Sequence, residues 1–333
     1  MVPSRLSGQL ALRASEFVIA LSLLVLLQGI SPAQDEAVKS ESLPGAVAAG
    51  RALGMAQPLK TYHDGSIRDI STVGTRDVGC ARGPGSRYSL QEQAVVGRSD
   101  AASVETTSTL ITDSVITSYV NRIGQNLVRN SDARVPVAFK VIKTGDVNAF
   151  SLPGGFIFVH SGLILAADDE AQLAAVIAHE IAHVAACHGA QEMAAEELAN
   201  VASVPRIFRL TARHLAMNTV YLPSAGLEAD ADFLAIQYLY KAGYDPQALT
   251  AFLEKARASQ KQGRGARDKA FDSDAQLADR IKRARREIST LLPPASEYKV
   301  DTSDFQQIKL RLTELEGGHK PDTLKQTNLE TGR

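Results

Sequence analysis

The sequence predicts an α+β domain that is predominantly helical, with a small antiparallel sheet ahead of its strongest helix. Three observations predict it. Val115, Ile116, Tyr119, Val120, Ile123 and Leu127 recur at helical spacing over 113–128, so one face of that helix should lie on a core. Two short, partly β-branched runs, 139–142 and 156–159, follow with Pro153-Gly154-Gly155 between them, which reads as strands and the turn of a hairpin. The third segment has Asp168 or Asp169 as N-cap, acidic residues in its first turn and Gly189 as its stop, the strongest pair of helix-boundary signals in the chain.

The other elements follow in order. Arg5 and Arg13 precede an apolar run at 17–27, and Ser31 and Ala33 are small. This is the grammar of an export signal over 1–33, cut before Gln34, because the run is shorter than the roughly 20 residues that span a bilayer. An uncleaved anchor is the alternative. Residues 34–85 are rich in Gly, Ser, Ala and Pro without a sustained period, an irregular lead to a main domain at 86–292. Within it, 190–223 reads as mainly helical with breaks at Pro205 and Pro223. Ser224 caps a helix that ends at Gly243, and Asp245-Pro246 opens another. Asp274 begins a charged helix whose basic cluster, 280–286, reads as a solvated face. In the extension 293–333, Asp301 or Thr302 caps one amphipathic helix, and the tail beyond Leu315 stays loose.

Composition excludes some functions. Of the 333 residues, 36 are Lys or Arg and 37 are Asp or Glu, so no net field draws the chain to nucleic acid. The two cysteines, Cys80 and Cys187, rule out a framework of bridges; two unpaired thiols are the expectation, with a single disulfide as the alternative.

The chemistry lies at 179–183, which reads His-Glu-Ile-Ala-His. Spacing of i, i+4 sets His179 and His183 on one helix face, one turn apart, where both can reach one zinc ion. Glu180 stays close enough to act as general base toward a water at that metal, an arrangement that supports peptide hydrolysis. A catalytic zinc needs a third protein ligand and an open position. Cys187 lies too far along the helix axis, about 12 Å from His179 at 1.5 Å per residue. His188 should point about 140° away from His183 at 100° per residue. His63, His160, His214 and His319 lack paired spacing. The better candidate is Glu228 in the acidic stretch 224–232, with Asp232 one turn on and able to fix the tautomer of a ligating His.

This pattern resembles the zinc metallopeptidase family that includes HtpX, Oma and BepA-like proteins. The resemblance rests on Asn148-Ala-Phe-Ser-Leu-Pro-Gly-Gly155, on His179-Glu-Ile-Ala-His183 and on Glu228-Ala-Asp-Ala-Asp232, in that order. It implies a compact, mostly helical, zincin-like domain with one zinc ion per chain, Glu228 as third ligand, and unfolded or damaged proteins as substrates in quality control of the envelope. It also supports Asn148, Ala149 and Phe150 as an edge strand along which a substrate lies. The chain departs from relatives at Cys187, Ala225 and Asp274, outside the metal and base positions. Tyr221, His188 and His214 are the candidates for stabilising an oxyanion.

The leading expectation is an exported, periplasmic or secreted, zinc metalloendopeptidase. A chaperone-like binding factor with a silent zinc site is the competing one, and peripheral association with the membrane stays open.

Overall fold

In the computed structural model, which describes residues 62–81, 84–199, 225–261, 273–295 and 297–317, the other elements are arranged around a single apolar helix. The predicted signal segment, the lead as far as residue 61, the breaks at Pro205 and Pro223, the candidates Tyr221, His214 and His319, and the tail beyond 317 lie outside the described residues.

Ser89 and Glu92 form a capping box at the start of α1 (Leu90–Thr107). Asp113 accepts from the backbone N–H of Val115 and Ile116 to begin α2 (Ser114–Arg129), satisfying donors that the first turn leaves free. The α2 stripe is buried at Ile116, Tyr119, Val120, Ile123 and Leu127, whereas Val115 is 48% exposed and falls outside it. After β1 (Ala138–Ile142), β2 (Ala149–Leu152) and β3 (Phe156–His160) come a short helix α3 (Ser161–Ala166) and the central helix α4 (Glu170–Ala185). The chain continues through α5 (His188–Ala199), α6 (Ala225–Lys241), α7 (Gln247–Lys261), α8 (Asp274–Leu291) and α9 (Ser303–Gly317).

The sheet has the order β1-β3-β2. The hairpin expected at Pro153-Gly154-Gly155 joins β2 to β3, while β1 runs parallel to β3 and makes the sheet mixed. A parallel pair needs a long connection, and β2 lies within the one that links β1 to β3. Strand order places β2 at an edge. Ala149, Ile157 and Val159 join the main core that contains α4, and Leu152 and Phe158 join a smaller core with Ala101 and Val104 of α1. Each face of the sheet is therefore covered by a different helix.

Helix α4 is apolar all round, with Leu173, Ala174, Ala175, Ile177, Ala178, Ile181 and Ala182 fully buried, as a helix at the centre of a core must be. Asp169, of the two candidate caps, accepts from Gln172 N–H at 2.8 Å. The next residue, Glu170, is buried and accepts from Tyr119 Oη at 2.7 Å and Tyr244 Oη at 2.8 Å. Thr302 both donates to Glu170 and accepts from Phe305 N–H to cap α9, whose Phe305, Ile308 and Leu312 enter the main core.

The helix stops at Ala185, four residues before the expected Gly189, which instead lies in α5. Cys187 adopts a left-handed backbone with φ of 52°, and that residue breaks the helical path. Against expectation, Cys187 and Cys80 form a disulfide. Their approach depends on Gly79, where a Cβ would meet the Ala186 carbonyl oxygen at 2.7 Å, so the lead lies directly on the end of α4.

A buried ion pair fixes the lead a second time. Arg76 contacts Asp132 at 2.6 Å with side chains only 3% and 0% exposed. Tyr238 Oη donates to the same carboxylate at 3.0 Å, and Arg76 donates to Gln237 Oε1 at 2.8 Å. Removing one partner strands a buried charge, so Arg76→Met should cost about 3–5 kcal/mol in urea unfolding. Arg76→Met combined with Asp132→Asn should cost less than the single change, because no uncompensated charge remains.

Candidate metal centre

The i, i+4 pair on α4 brings His179 Nε2 to 3.0 Å from His183 Nε2. Helix α6 crosses α4 and delivers Glu228, whose Oε2 lies 3.3 Å from His179 Nε2 and whose Oε1 lies 3.3 Å from His183 Nε2. These side chains form the group with metal-ligand geometry found among the described residues. Their separations suit a metal: ligands bound tetrahedrally at about 2.0–2.2 Å stand roughly 3.3 Å apart. Two imidazoles and a carboxylate are also a donor set that zinc accepts. The residues therefore fit the ion. All three are buried, at 8–9% exposure.

Behind the ligands stands a layer of charge. Asp232, one turn after Glu228 on α6, places Oδ1 3.0 Å from His179 Nδ1. Arg280 of α8 reaches both acids, with Nη1 at 2.7 Å from Glu228 Oε2 and Nε at 2.7 Å from Asp232 Oδ2. The guanidinium is a planar fork suited to such pairing. The basic cluster 280–286 was expected to be solvated, yet Arg280 is buried with Leu277, Ile281 and Ala284. Those positions are spaced i, i+3, i+4 and i+7, so the signal was the apolar stripe of α8, which passes through Arg280.

The charges of the metal-free site are interdependent. Burial opposes the charged form of His179, but Glu228 and Asp232 outweigh it and hold its pKa up to about 10. Burial likewise raises Glu228, and the two histidines outweigh it and hold the carboxyl well below its usual range. For Asp232 burial is again the opposing influence, overcome by Arg280 and His179, and the net shift is downward. Glu180 differs: burial raises its pKa, and His183, His179 and the Ser151 hydroxyl only partly counter this. A carboxylate made more basic by burial is better matched to accepting a proton near neutral pH.

His188 was expected to point away from His183. Because α4 ends early and the chain turns at Cys187, His188 folds back until its Nδ1 lies 3.0 Å from His183 Nδ1. It is 2% exposed, and burial followed by repulsion from His183 and His179 pushes its pKa down to about 3. It stands at the nitrogen of His183 opposite the one turned to His179, so it does not face the reaction side of the ligands. His160 stays on β3 with its ring edge toward Phe150, and His63 is exposed.

Beside Glu180 runs β2. Asn148 precedes the strand, and its carbonyl accepts from His160 N–H at 3.0 Å. With Phe150 opposite Phe158 in antiparallel register, the alternation of such ladders turns the Phe150 peptide groups toward β3. Those of Ala149 and Ser151 point to the edge. The Phe150 ring stacks on Phe158 at 5.2 Å. Of the three residues expected to meet a substrate, Ala149 has outward-facing peptide groups; Ser151, which the sequence reading passed over, has the others.

Comparison with known proteins places this geometry in context. The chain is 33% identical over 193 residues to the beta-barrel assembly-enhancing protease of Escherichia coli (strain K12), covering 51% of this chain and 39% of that protein. It is 32% identical over 197 residues to the mitochondrial metalloendopeptidase OMA1 of Schizosaccharomyces pombe, covering 56% of each. With the metalloprotease LoiP of Escherichia coli (strain K12) it shares 30% identity over 217 residues, 61% of this chain and 83% of that one. The chain thus spans about two-fifths of the length of the first of these relatives. The model of peptidase family M48 matches residues 116–288, more than half of the sequence and the stretch that holds every residue of the centre, and the chain therefore belongs to peptidase family M48.

Proposed function

We propose that the chain is an exported, zinc-dependent metalloendopeptidase that cleaves unfolded or damaged proteins. One observation carries this reading: His179, His183 and Glu228 converge within 4.8 Å, with Glu180 on the same helix and a strand edge alongside. Bound by those three residues, zinc supplies Lewis acidity, which acidifies water and polarises a peptide carbonyl. The chain's own groups do the rest. Glu180 accepts the proton at its carboxylate and can return it to the leaving amine. Asp232 and Arg280 hold His179 and Glu228 in place, a fixing that metal sites depend on.

The outward peptide groups of Ala149 and Ser151 support β-addition, in which an extended substrate pairs with the edge through its main chain. Such pairing is nearly independent of side chains and suits substrates recognised by being unfolded. The signal grammar at 1–33 supports export. Among the described residues no single helix is long and apolar enough to cross a membrane. A role in quality control of envelope proteins agrees with the name of the beta-barrel assembly-enhancing protease.

The purified chain should hold about one zinc and digest casein until a chelator is added. Glu180→Gln should keep the metal and lose at least about a hundredfold in turnover, the usual size of a general-base contribution. His179→Ala or Glu228→Ala should lose metal and activity together. Substrate binding without cleavage by the zinc-loaded natural chain would favour the chaperone-like alternative.

Ala149→Pro should remove an outward N–H without breaking a bond to β3, since proline is tolerated where a strand faces open space. Steady-state kinetics on an unfolded substrate should show a raised KM, with zinc content and Tm nearly constant. Unchanged kinetics would return the edge to a purely structural role.

A further inference from the structure

The two ligating histidines are backed differently. His179 has the carboxylate of Asp232 at its Nδ1, whereas His183 has another imidazole, that of His188, with the two Nδ1 atoms 3.0 Å apart. Two ring nitrogens at that distance share one proton: one donates and the other accepts. If His188 donated, His183 would carry its own proton on Nε2, and that nitrogen would offer the metal no lone pair. Only the opposite order leaves His183 able to ligate. It requires a neutral His188 protonated on Nε2.

The surroundings hold His188 in this place from both sides. The preceding residue is tied to the lead through the Cys80–Cys187 bridge. The following residue, Gly189, lies so near the β2–β3 turn that a Cβ there would meet Pro153 Cγ at 2.9 Å. The N–H groups of Ala190 and Gln191 both bond the Cys187 carbonyl at 3.1 Å, and Gln191 Nε2 donates to the Ala186 carbonyl at 3.0 Å. The corner between α4 and α5 is thus pinned around one imidazole. A neutral acceptor also has an electrostatic advantage here. Glu180, Glu228 and Asp232 already bring three carboxyl groups to the centre, and an imidazole behind His183 supplies an acceptor without adding a fourth.

We propose that His188 is a positioning residue for His183, accepting its Nδ1–H so that a lone pair on Nε2 faces the metal, and that the Cys80–Cys187 bridge keeps it there. The proposal rests on the reading of His179, His183 and Glu228 as a zinc site.

The test measures zinc affinity by chelator competition in the full mature chain. His188→Leu, similar in bulk but without an acceptor, should bind zinc about ten- to a hundredfold more weakly, the range for lost partners of metal ligands. His188→Asn, whose amide oxygen can take the place of Nδ1, should retain most of the affinity. Thermal unfolding of the metal-free forms shows whether each variant is folded. Nitrogen-15 NMR of the natural chain needs no variant and should find His183 protonated on Nδ1 and His188 on Nε2. Equal affinity in natural and folded His188→Leu chains, Asn no better than Leu, or a proton on Nδ1 of His188 would each overturn the proposal. Cys80→Ser should weaken zinc binding in the natural background and add nothing to His188→Leu, as coupled positions do; equal losses in both would remove the bridge from the proposal. A natural chain that binds no zinc would instead defeat the metal reading itself.

Discussion

A helix enclosed on every side must find a partner within the protein for each polar group it carries, and α4 carries such groups at both ends. At its start Glu170 is buried and is met by Tyr119 from α2, Tyr244 and Thr302. At its finish His179 and His183 are met by Glu228 from α6, and the acids of α6 by Arg280 from α8. An unmet carboxylate or imidazole in such a place costs several kcal/mol, more than most single contacts return. The placement of α2, α6, α8 and α9 follows from this requirement as much as from apolar packing. The metal centre is the polar end of a structural arrangement that begins at Glu170, nine residues before His179 on the same helix.

Much of this was legible because it is local. The i, i+4 histidines, a cap at Asp168 or Asp169, the Pro153-Gly154-Gly155 turn and the one-turn spacing of Glu228 and Asp232 each depend on a few neighbouring residues. What was not legible depends on distant ones. Nothing near Ala185 announces a stop; the turn there goes with a left-handed Cys187 bonded to a cysteine 107 residues earlier in the chain. An angular projection of His188 assumed a helix that had already ended, and so it missed the imidazole pair. Arg280 was misread for another reason. Charge suggested a solvated face, while the apolar positions on either side of it placed it inward. Where two acids are drawn into a core, a cation must follow them, and the stripe was the better guide.

The sheet divides its work by geometry. Along β2 the pleat sends Ala149 to the α4 side and Phe150 and Leu152 to the α1 side, and the ladder sends the peptide groups of Phe150 inward and those of Ala149 and Ser151 outward. A four-residue strand thus anchors itself with one set of residues and offers its edge with the other. Phe150 packs its ring on Phe158, while the order of the sheet leaves β2 at an edge. An edge this short is also a weak template for unwanted pairing, the usual hazard of open strands.

The start of α4 is completed by residues that are made much later. The Ala171 N–H bonds the Val300 carbonyl at 2.9 Å, the Glu170 N–H bonds an Asp301 carboxylate oxygen at 3.2 Å, and the Thr302 hydroxyl bonds Glu170 itself. A chain emerging from its N-terminus therefore carries the histidines well before it has the segment that closes the far end of their helix. Until then the helix has a buried acid without its full set of donors and a core lacking Phe305, Ile308 and Leu312. Contacts of such long sequence separation form late in folding. This ordering works as a delay: the helix that holds His179 and His183 is completed only after Val300, Asp301 and Thr302 have been made.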